Sequence, residues 1–593
     1  MSVPHAGAGR HGAVLLEGGN TRFSLWAPDA QTVSVELEDG ARWPMRGAAG
    51  GWFVAELPCG AGTRYRYAID DRLRVPDPAS RAQLGDVHGP SLVVDPRAYR
   101  WRYPDWRGQP WHRTVLYELH VGAMGGYQRI IERLPALAEL GITAIELMPL
   151  AEFPGARNWG YDGVLPYAPE ASYGPPEALK ELVDSAHGHG LMVFLDVVYN
   201  HFGPDGNFLG EYASAFFRAD RPTPWGDAID FRRQEVRDFF IDSALLWLQE
   251  YRFDGLRLDA VHAIHDKDFL RELAVRVHAA VEADRQIHLV LENDDNAASL
   301  LLGQGFTAQW NDDVHHALHV LLTGEAEGYY ADYQDEPTRL LARCLAEGFA
   351  YQGEMSRRGV PRGEPSAHLP PSAFVLFLQN HDQIGNRACG ERLSALADAE
   401  ALRAATTLLL LAPMIPLLFM GEEFAARQPF LYFTDHHGEL AEAVRSGRRN
   451  EFAAFAAFRD PASRAAIPDP NAEATFAASR PDFACAAAPD HAQWLALYRQ
   501  LLQLRHAELM PLLPGTCALG AEVLGAGALR ARWRLGDGQV LRIELNLAAG
   551  ELPLGAARPA RLLFESREAD VARRAGLLAP RLAQVFLEPA DER

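Results

Sequence analysis

Residues 191–200 read LMVFLDVVYN, an apolar run broken first by Asp196 and closed by Asn200, with His201 next. A strand that is apolar at successive positions is buried on both faces, as in a parallel sheet covered by helices. The amphipathic stretch before it, PPEALKELVDSAHGHG (175–190), supplies such a helix, with His187 and His189 closing it. The same alternation runs from Val115 to about Leu509. Its other candidate strands are VLYELHVG (115–122), TAIELMPL (143–150), FDGLRLDAV (253–261), HLVLEN (288–293), FTAQWN (306–311), AFVLFLQN (373–380) and PLLFMGEE (416–423). Eight strand–helix units predict an α/β fold, a (β/α)₈ TIM barrel with loop insertions, whose eighth helix spans 491–509.

Outside this region the pattern changes. Residues 1–100 carry short alternating strands, among them Val33–Leu37, Trp52-Phe53-Val54 and Tyr65–Ile69, and predict an N-terminal β-sandwich. After Pro514, ALRARWRL (528–535) and QVLRIELNL (539–547) flank an Asp537-Gly538 turn. The predicted domains are therefore 1–100, a barrel over 101–514, and a C-terminal antiparallel β-domain over 515–593.

Composition limits the function classes. The chain has 593 residues, 48% hydrophobic and 23% charged, which excludes disorder, collagen and coiled coil as its main architecture. A formal charge of −21 disfavours a nucleic-acid partner and leaves neutral substrates open. The 5 cysteines are scattered and show no CxxC pair, which argues against a disulfide framework or zinc ribbon and fits a reducing cytoplasm. The N-terminal MSVPHAGAGRHGAVLLEGG lacks a signal-peptide core. The longest apolar stretch, Ala404–Met420, is split by Pro413 and Pro416 and reads as helix, turn and strand, so no membrane partner is expected.

Barrel chemistry sits where the strands end. Asp196, Asn200 and His201 end the third strand; Arg257, Asp259 and His262 follow the fourth; Glu292 ends the fifth; Asn380, His381 and Asp382 end the seventh. The loop after the second strand carries Trp159, Tyr161 and Asp162 in RNWGYDG. Any one carboxylate there is accounted for by solvation of a strand end. Asp259, Glu292 and Asp382 on one rim, with Arg257, His201 and His381, match glycoside cleavage. That reaction needs one carboxylic acid to protonate the leaving oxygen and one carboxylate to attack the anomeric carbon. An arginine beside the nucleophile keeps it ionised, and crowding keeps the acid protonated. A magnesium site for phosphate chemistry is the competing use, but no phosphate-cradling glycine loop accompanies these residues.

Four short segments, DVVYNH (196–201), GLRLDAVH (255–262), LEN (291–293) and FLQNHDQIGN (377–386), are similar to the ordered motifs of the α-amylase family of glycoside hydrolases. The resemblance implies a retaining mechanism with Asp259 as nucleophile, Glu292 as general acid/base and Asp382 as transition-state stabiliser. It implies substrate contacts from Tyr161, Asp162, His201 and His381. It also implies contacts from Arg257, Leu258, Ala260, Val261 and His262; from Asn311, Asp312, Asp313, Val314 and His315; and from Asn380, Gln383, Ile384 and Gly385. Within the family, nearly the whole chain is similar to members that release trehalose from malto-oligosyltrehalose. FSLWAPDAQTVSVEL (23–37), VPDPASRAQLGDVHGPS (75–91), FPGARNWGYDGVLPYAP (153–169) and AQWNDDVHHALHVLLTGEAEGYYADY (308–333) carry that likeness. His262-Ala263 replaces the Lys-His found in many amylases, which suits a specialised leaving-group side. No cofactor and no metal are implied.

Two other functions stand beside this one: a 1,4-α-glucan branching transferase and a catalytically silent glucan-binding protein. RNWGYDGVLP and QWNDDVHHALH favour the hydrolase over the transferase, and the three carboxylates argue against silence. Among His315, His316 and His319, the i and i+4 pair shares a helix face, but no HExxH glutamate or third placed ligand accompanies it, which favours hydrogen bonding over metal binding. Trp310 is open between sugar platform and core. Gly421-Glu422-Glu423 is expected at the end of the eighth strand, and the N-terminal sandwich either docks on the barrel or binds sugar.

Overall fold

The computed structural model describes residues 11–223, 225–301, 303, 305–357, 359–554 and 559–590. The expectation about the first ten residues lies outside them.

The eight parallel strands are β1 (Leu116–Leu119), β2 (Ala144–Leu147), β3 (Met192–Val197), β4 (Gly255–Leu258), β5 (His288–Leu291), β6 (Ala308–Trp310), β7 (Phe374–Phe377) and β8 (Ile415–Phe419). They pair in chain order and close from β8 onto β1. Each strand is shorter than the apolar run that announced it, because the run continues into the loop. The inward residues of the lower layers, including Leu116, Ala144, Phe194, Val290, Trp310, Val375 and Leu417, form one dry cluster. Strand alternation puts Glu118, Glu146, Asp196 and Arg257 at the next inward positions of β1 to β4. The barrel therefore turns from apolar floor to ionisable rim within one layer.

The covering helices are α1 (Leu134–Leu140), α2 (Pro176–Gly188), α3 (Gln234–Leu245), α4 (Lys267–Ala280), α5 (Asp312–Thr323), α6 (Pro337–Glu347), α7 (Ala399–Leu411) and α8 (Pro489–Leu504). The fifth unit differs from expectation. Between β5 and β6 the described residues hold only a 3₁₀ turn, Ala298–Leu300. The helix read over 491–509 is regular to Leu504 and widens into a π-turn over Arg505–Leu509. There the buried Arg505 guanidinium donates to the carbonyls of Leu410, Ala412 and Met414 at 2.5–2.9 Å, which satisfies the end of α7. Ala404–Met420 is a helix, a turn and β8, and no helix among the described residues is long and apolar enough to cross a membrane.

The N-terminal region forms a four-stranded and a five-stranded antiparallel sheet. It docks on the β3–α3 connection. Trp26 packs on Phe216, Asp29 accepts from the Ser214 amide at 2.7 Å, and His11 contacts Phe239 and Asp242. Arg81 and Lys180 meet on Glu250. Of the two roles left open for this domain, these contacts are those of docking. C-terminally, five antiparallel strands pack on α6, where Trp533 Nε1 donates to the Leu345 carbonyl at 3.1 Å. The hairpin of Ala528–Arg534 and Val540–Asn546 is its centre. All 5 cysteines are unpaired.

Candidate active site

Arg257 is the hub of the rim. It is fully buried at the inward end of β4, and its Nη1 reaches Asp196 Oδ2 at 2.6 Å and Asp259 Oδ1 at 2.8 Å. Nη2 lies 3.9 Å from Glu292 Oε2. The guanidinium rests over the Trp310 ring, 4.2 Å from its centroid. Trp310 is thus core, sealing the arginine from below, and no sugar reaches it.

β4 ends at Leu258, and the turn after it is strained. Ala260 adopts a left-handed conformation with φ 42°. That turn aims the Ala260 amide at Glu292 Oε2, 2.5 Å away. Burial pushes the Asp259 carboxyl up to about 6, against the pull of Arg257 and with a push from Glu292. Asp196 is likewise raised to about 6 by burial against the pull of Arg257. Glu292 is raised by burial; Arg257 opposes the rise and the Asp382 charge adds to it. The three rim carboxylates therefore share one fixed cation, and their protons belong to the group.

A second chain of bonds enters from β7. His381 Nδ1 and the His381 amide both bond the Glu118 carboxylate on β1. The Tyr161 hydroxyl donates to Asp196 Oδ2 at 2.6 Å and contacts His381 Nε2 at 2.7 Å. With its own hydrogen directed at Asp196, the Tyr161 hydroxyl accepts from His381, so both ring nitrogens carry hydrogen. Burial lowers the imidazolium, but the Glu118 charge and hydrogen bond outweigh it, and the His381 pKa is raised. Asp382 lies in the first turn of a short helix, His381–Gly385, capped by Asn380 Oδ1 on the Gln383 amide at 2.8 Å. Its carboxylate accepts from the Asn386 amide group.

On the wall from β6, Asp312 is partly buried and accepts from Gln383 Nε2 at 3.1 Å. Burial, then the charges of Glu292 and Asp382, raise it well above the usual carboxylate range. On the β2 side Asp162 accepts from Asn158 and His436. His201 is held neutral by burial, which lowers it to about 4, and its ring stacks on exposed Trp225 at 4.8 Å. His262 accepts the Asp294 amide at 3.3 Å.

The residues expected to touch substrate divide in two. Tyr161, Asp162, Asp259, His262, Glu292, Asp312, Asp382 and Gln383 are partly exposed and, with buried His201, Arg257 and His381, form the rim. Leu258, Val261, Val314 and Ile384 are buried to 2% exposure or less, so their side chains pack behind it. Ala260 contributes its amide, and Gly385 leaves room for Trp159, whose ring atom Cζ2 would lie 2.0 Å from a β-carbon there. Asn311 donates to the Gly348 carbonyl, Asn380 caps its helix, and His315 bonds the Leu378 carbonyl. Asp313 is a buried clamp for Asn296, Tyr333, Arg362 and the Ala350 amide. His319 pairs with Glu325 and stacks on Tyr330 at 4.0 Å. Among the described residues no group of three or more His, Cys, Asp or Glu is arranged to hold a metal ion.

Glu118 and Trp225 escaped the sequence reading. An acid inside the apolar run LYEL was the available sign of Glu118; Trp225 sits on a polar hairpin with no sign at all. Glu422 and Glu423, expected at the end of the eighth strand, lie in a 3₁₀ turn after β8, buried against Tyr498 and Tyr117. Burial raises Glu422 to about 8 and Glu423 to about 7. Raised folded-state values favour folding below the unfolded values and lose that contribution as pH climbs through 7 and 8. The melting temperature should thus fall between about pH 5 and about pH 8, and less steeply in Glu422→Gln. Parallel pH profiles of melting for the two proteins would contradict this.

Comparison with known proteins follows the same three regions. Residues 7–96 match carbohydrate-binding module 48 (isoamylase N-terminal domain), 99–224 the alpha amylase catalytic domain, and 518–586 a domain of unknown function, DUF3459. The malto-oligosyltrehalose trehalohydrolase of Deinococcus radiodurans is 42% identical over 587 residues, covering 94% of each chain. That of Arthrobacter ramosus is 40% identical over 568 residues, covering 91% of this chain and 97% of its own. A 1,4-alpha-glucan branching enzyme from Rubrobacter xylanophilus is 36% identical but covers only 42% of this chain. A crystal structure from Salmonella typhimurium described as an alpha amylase superposes with a TM-score of 0.92 at 44% identity, covering 98% of this chain and 99% of its own. A pullulanase from Paenibacillus barengoltzii shares the fold at a TM-score of 0.71 and 21% identity. With identities of 40% and 42% running through nearly the whole length, the chain belongs to the malto-oligosyltrehalose trehalohydrolase family of α-amylase-type glycoside hydrolases.

Proposed function

We propose that the protein hydrolyses the α-1,4-glucosidic bond next to the terminal trehalose of a malto-oligosyltrehalose, releasing α,α-trehalose and a malto-oligosaccharide with retained configuration. The observation that carries this is one guanidinium 2.8 Å from Asp259 and 3.9 Å from Glu292. Two carboxyls served by one such group fit the close spacing, about 5–5.5 Å, of a nucleophile and an acid in retaining enzymes. Asp259, ionised beside Arg257, attacks the anomeric carbon while Glu292 gives its proton to the glycosidic oxygen, and trehalose leaves. Glu292, now a carboxylate held by the Ala260 amide, takes a proton from water. That water breaks the glucosyl ester, and Asp259 returns as carboxylate. Asp382, close enough for its charge to raise Glu292, stabilises the positive charge that develops at the sugar ring in the transition state of each step.

Tyr161, His381 and His201 offer hydrogen bonds to the reacting glucose, and Asp312, Gln383 and His262 to its neighbours. Asp313, Asn311, His315, Leu258, Val261, Val314 and Ile384 act through the rim they hold. The domain division at residues 100 and 514 fits the sheets and the barrel. The unpaired cysteines support a cytoplasmic location, and a neutral sugar needs no electrostatic steering against the acidic surface.

A branching transferase would pass the glucosyl group to a sugar hydroxyl in place of water. Product analysis after digestion of maltotriosyltrehalose separates the two: trehalose and maltotriose are expected. New α-1,6 linkages without free trehalose would replace this reading with transfer.

A further inference from the structure

Glu146 lies at an inward position of β2, level with Glu118 on β1. It pairs with Phe194, the inward residue just below Asp196 on β3. Its side chain is buried, and neither carboxyl oxygen has a hydrogen-bond partner. Asp196 shows the complementary defect. Its Oδ2 receives Tyr161 and Arg257, but its buried Oδ1 has no donor. The charged groups facing Glu146 are Glu118 on β1, Asp196 on β3 and Arg257 on β4. Glu118 is taken up by His381, and Arg257 is directed to Asp196, Asp259 and Glu292. An ionised Glu146 would be a buried anion beside two others with no donor of its own, an arrangement proteins avoid by protonation. A neutral acid has one O–H, and the acceptor on the neighbouring strand that lacks a donor is Asp196 Oδ1.

We propose that Glu146 is a positioning residue for the hydrolysis: held as the carboxylic acid, it donates its hydrogen to Asp196 Oδ1 and so keeps Asp196 anionic and aimed at Arg257. Arg257 then keeps its orientation toward Asp259. A leucine or methionine would pack this inward site at lower cost than a lone acid, which makes a purely structural role a poor account of the carboxyl. The catalytic part of the proposal rests on Asp259 being the nucleophile that Arg257 holds; the protonation state does not.

The test compares Glu146→Gln and Glu146→Met in the full chain. The amide of Gln keeps a donor, so its kcat stays within a few-fold of the parent. Met removes the donor, and kcat falls at least about tenfold, the scale of a lost hydrogen bond to a charged group. KM changes little and the melting temperature is unchanged or higher. Independently, infrared difference spectra at neutral pD between parent and Glu146→Gln should show the loss of one protonated-carboxyl stretch. A parent-like kcat in Glu146→Met, or no change in that band, overturns the proposal. If Asp259→Ala is active while the band is still lost, the nucleophile assignment is what fails, and the neutral acid stands.

Discussion

Replacing Asp259 with Ala should lower kcat on the order of 10⁴-fold or more, and Glu292→Gln roughly 10²–10⁴-fold, with both proteins still folded. The loss is chemical because Asp259→Ala leaves Arg257 paired with Asp196 at 2.6 Å, so the buried cation is never orphaned. Glu292→Gln keeps an acceptor for the Ala260 amide and removes only the transferable proton. The pH profile carries the same information. Asp259 and Asp196 are both raised to about 6, so kcat/KM should fall as pH drops below that value, with an apparent pKa belonging to the Asp196–Arg257–Asp259 group. Stability has the opposite sign. A raised folded-state pKa favours folding below the unfolded value near 3.8, and that contribution is lost as pH rises through 6. Acid should therefore inactivate the enzyme through this group before the group contributes to unfolding. Measured initial rates and melting temperatures from about pH 4 to about pH 8 decide it; near-parent activity in either variant removes that residue from the reaction.

The second large effect is on Arg257. Arg257→Met should cost about 3–5 kcal/mol of stability as well as abolish turnover, because it leaves Asp196 and Asp259 buried without their cation. His381 cannot substitute, since Glu118 already bonds both its ring and its amide. The two carboxyls can relieve the strain by taking up protons, so the deficit should be largest above about pH 7 and shrink below about pH 5. Denaturant unfolding at the two pH values tests this. A deficit that is small and independent of pH would mean the guanidinium is not the counter-charge of the rim.

The part of this site that was readable in sequence is the part where an apolar run stops. Asp259, Glu292 and Asp382 follow the last residues of β4, β5 and β7, so a barrel reading places them on one rim. Inside the strands, periodicity alone does not tell which parity faces the barrel axis. Glu118 and Glu146 carried no assignment in the sequence, and only the register puts them level with each other at inward positions of β1 and β2. Motif likeness carried Asp313, Asn311 and His315 into the substrate list because it assigns whole segments. Their long-range partners, Arg362, Gly348 and Leu378, were invisible. The fifth helix failed for a simpler reason: the repetition of the other units suggested it, and the described residues of the β5–β6 connection hold a 3₁₀ turn in its place. Trp225 reaches His201 from a separate hairpin, a contact that exists only after folding.

Selectivity for the trehalose end is the central claim, and the ratio of kcat/KM for maltotriosyltrehalose to that for maltopentaose measures it at equal chain length. The account predicts a ratio far above one, with trehalose appearing in step with maltotriose from the first substrate. A ratio near one, or malto-oligosaccharides from the second as abundant as trehalose from the first, would contradict it.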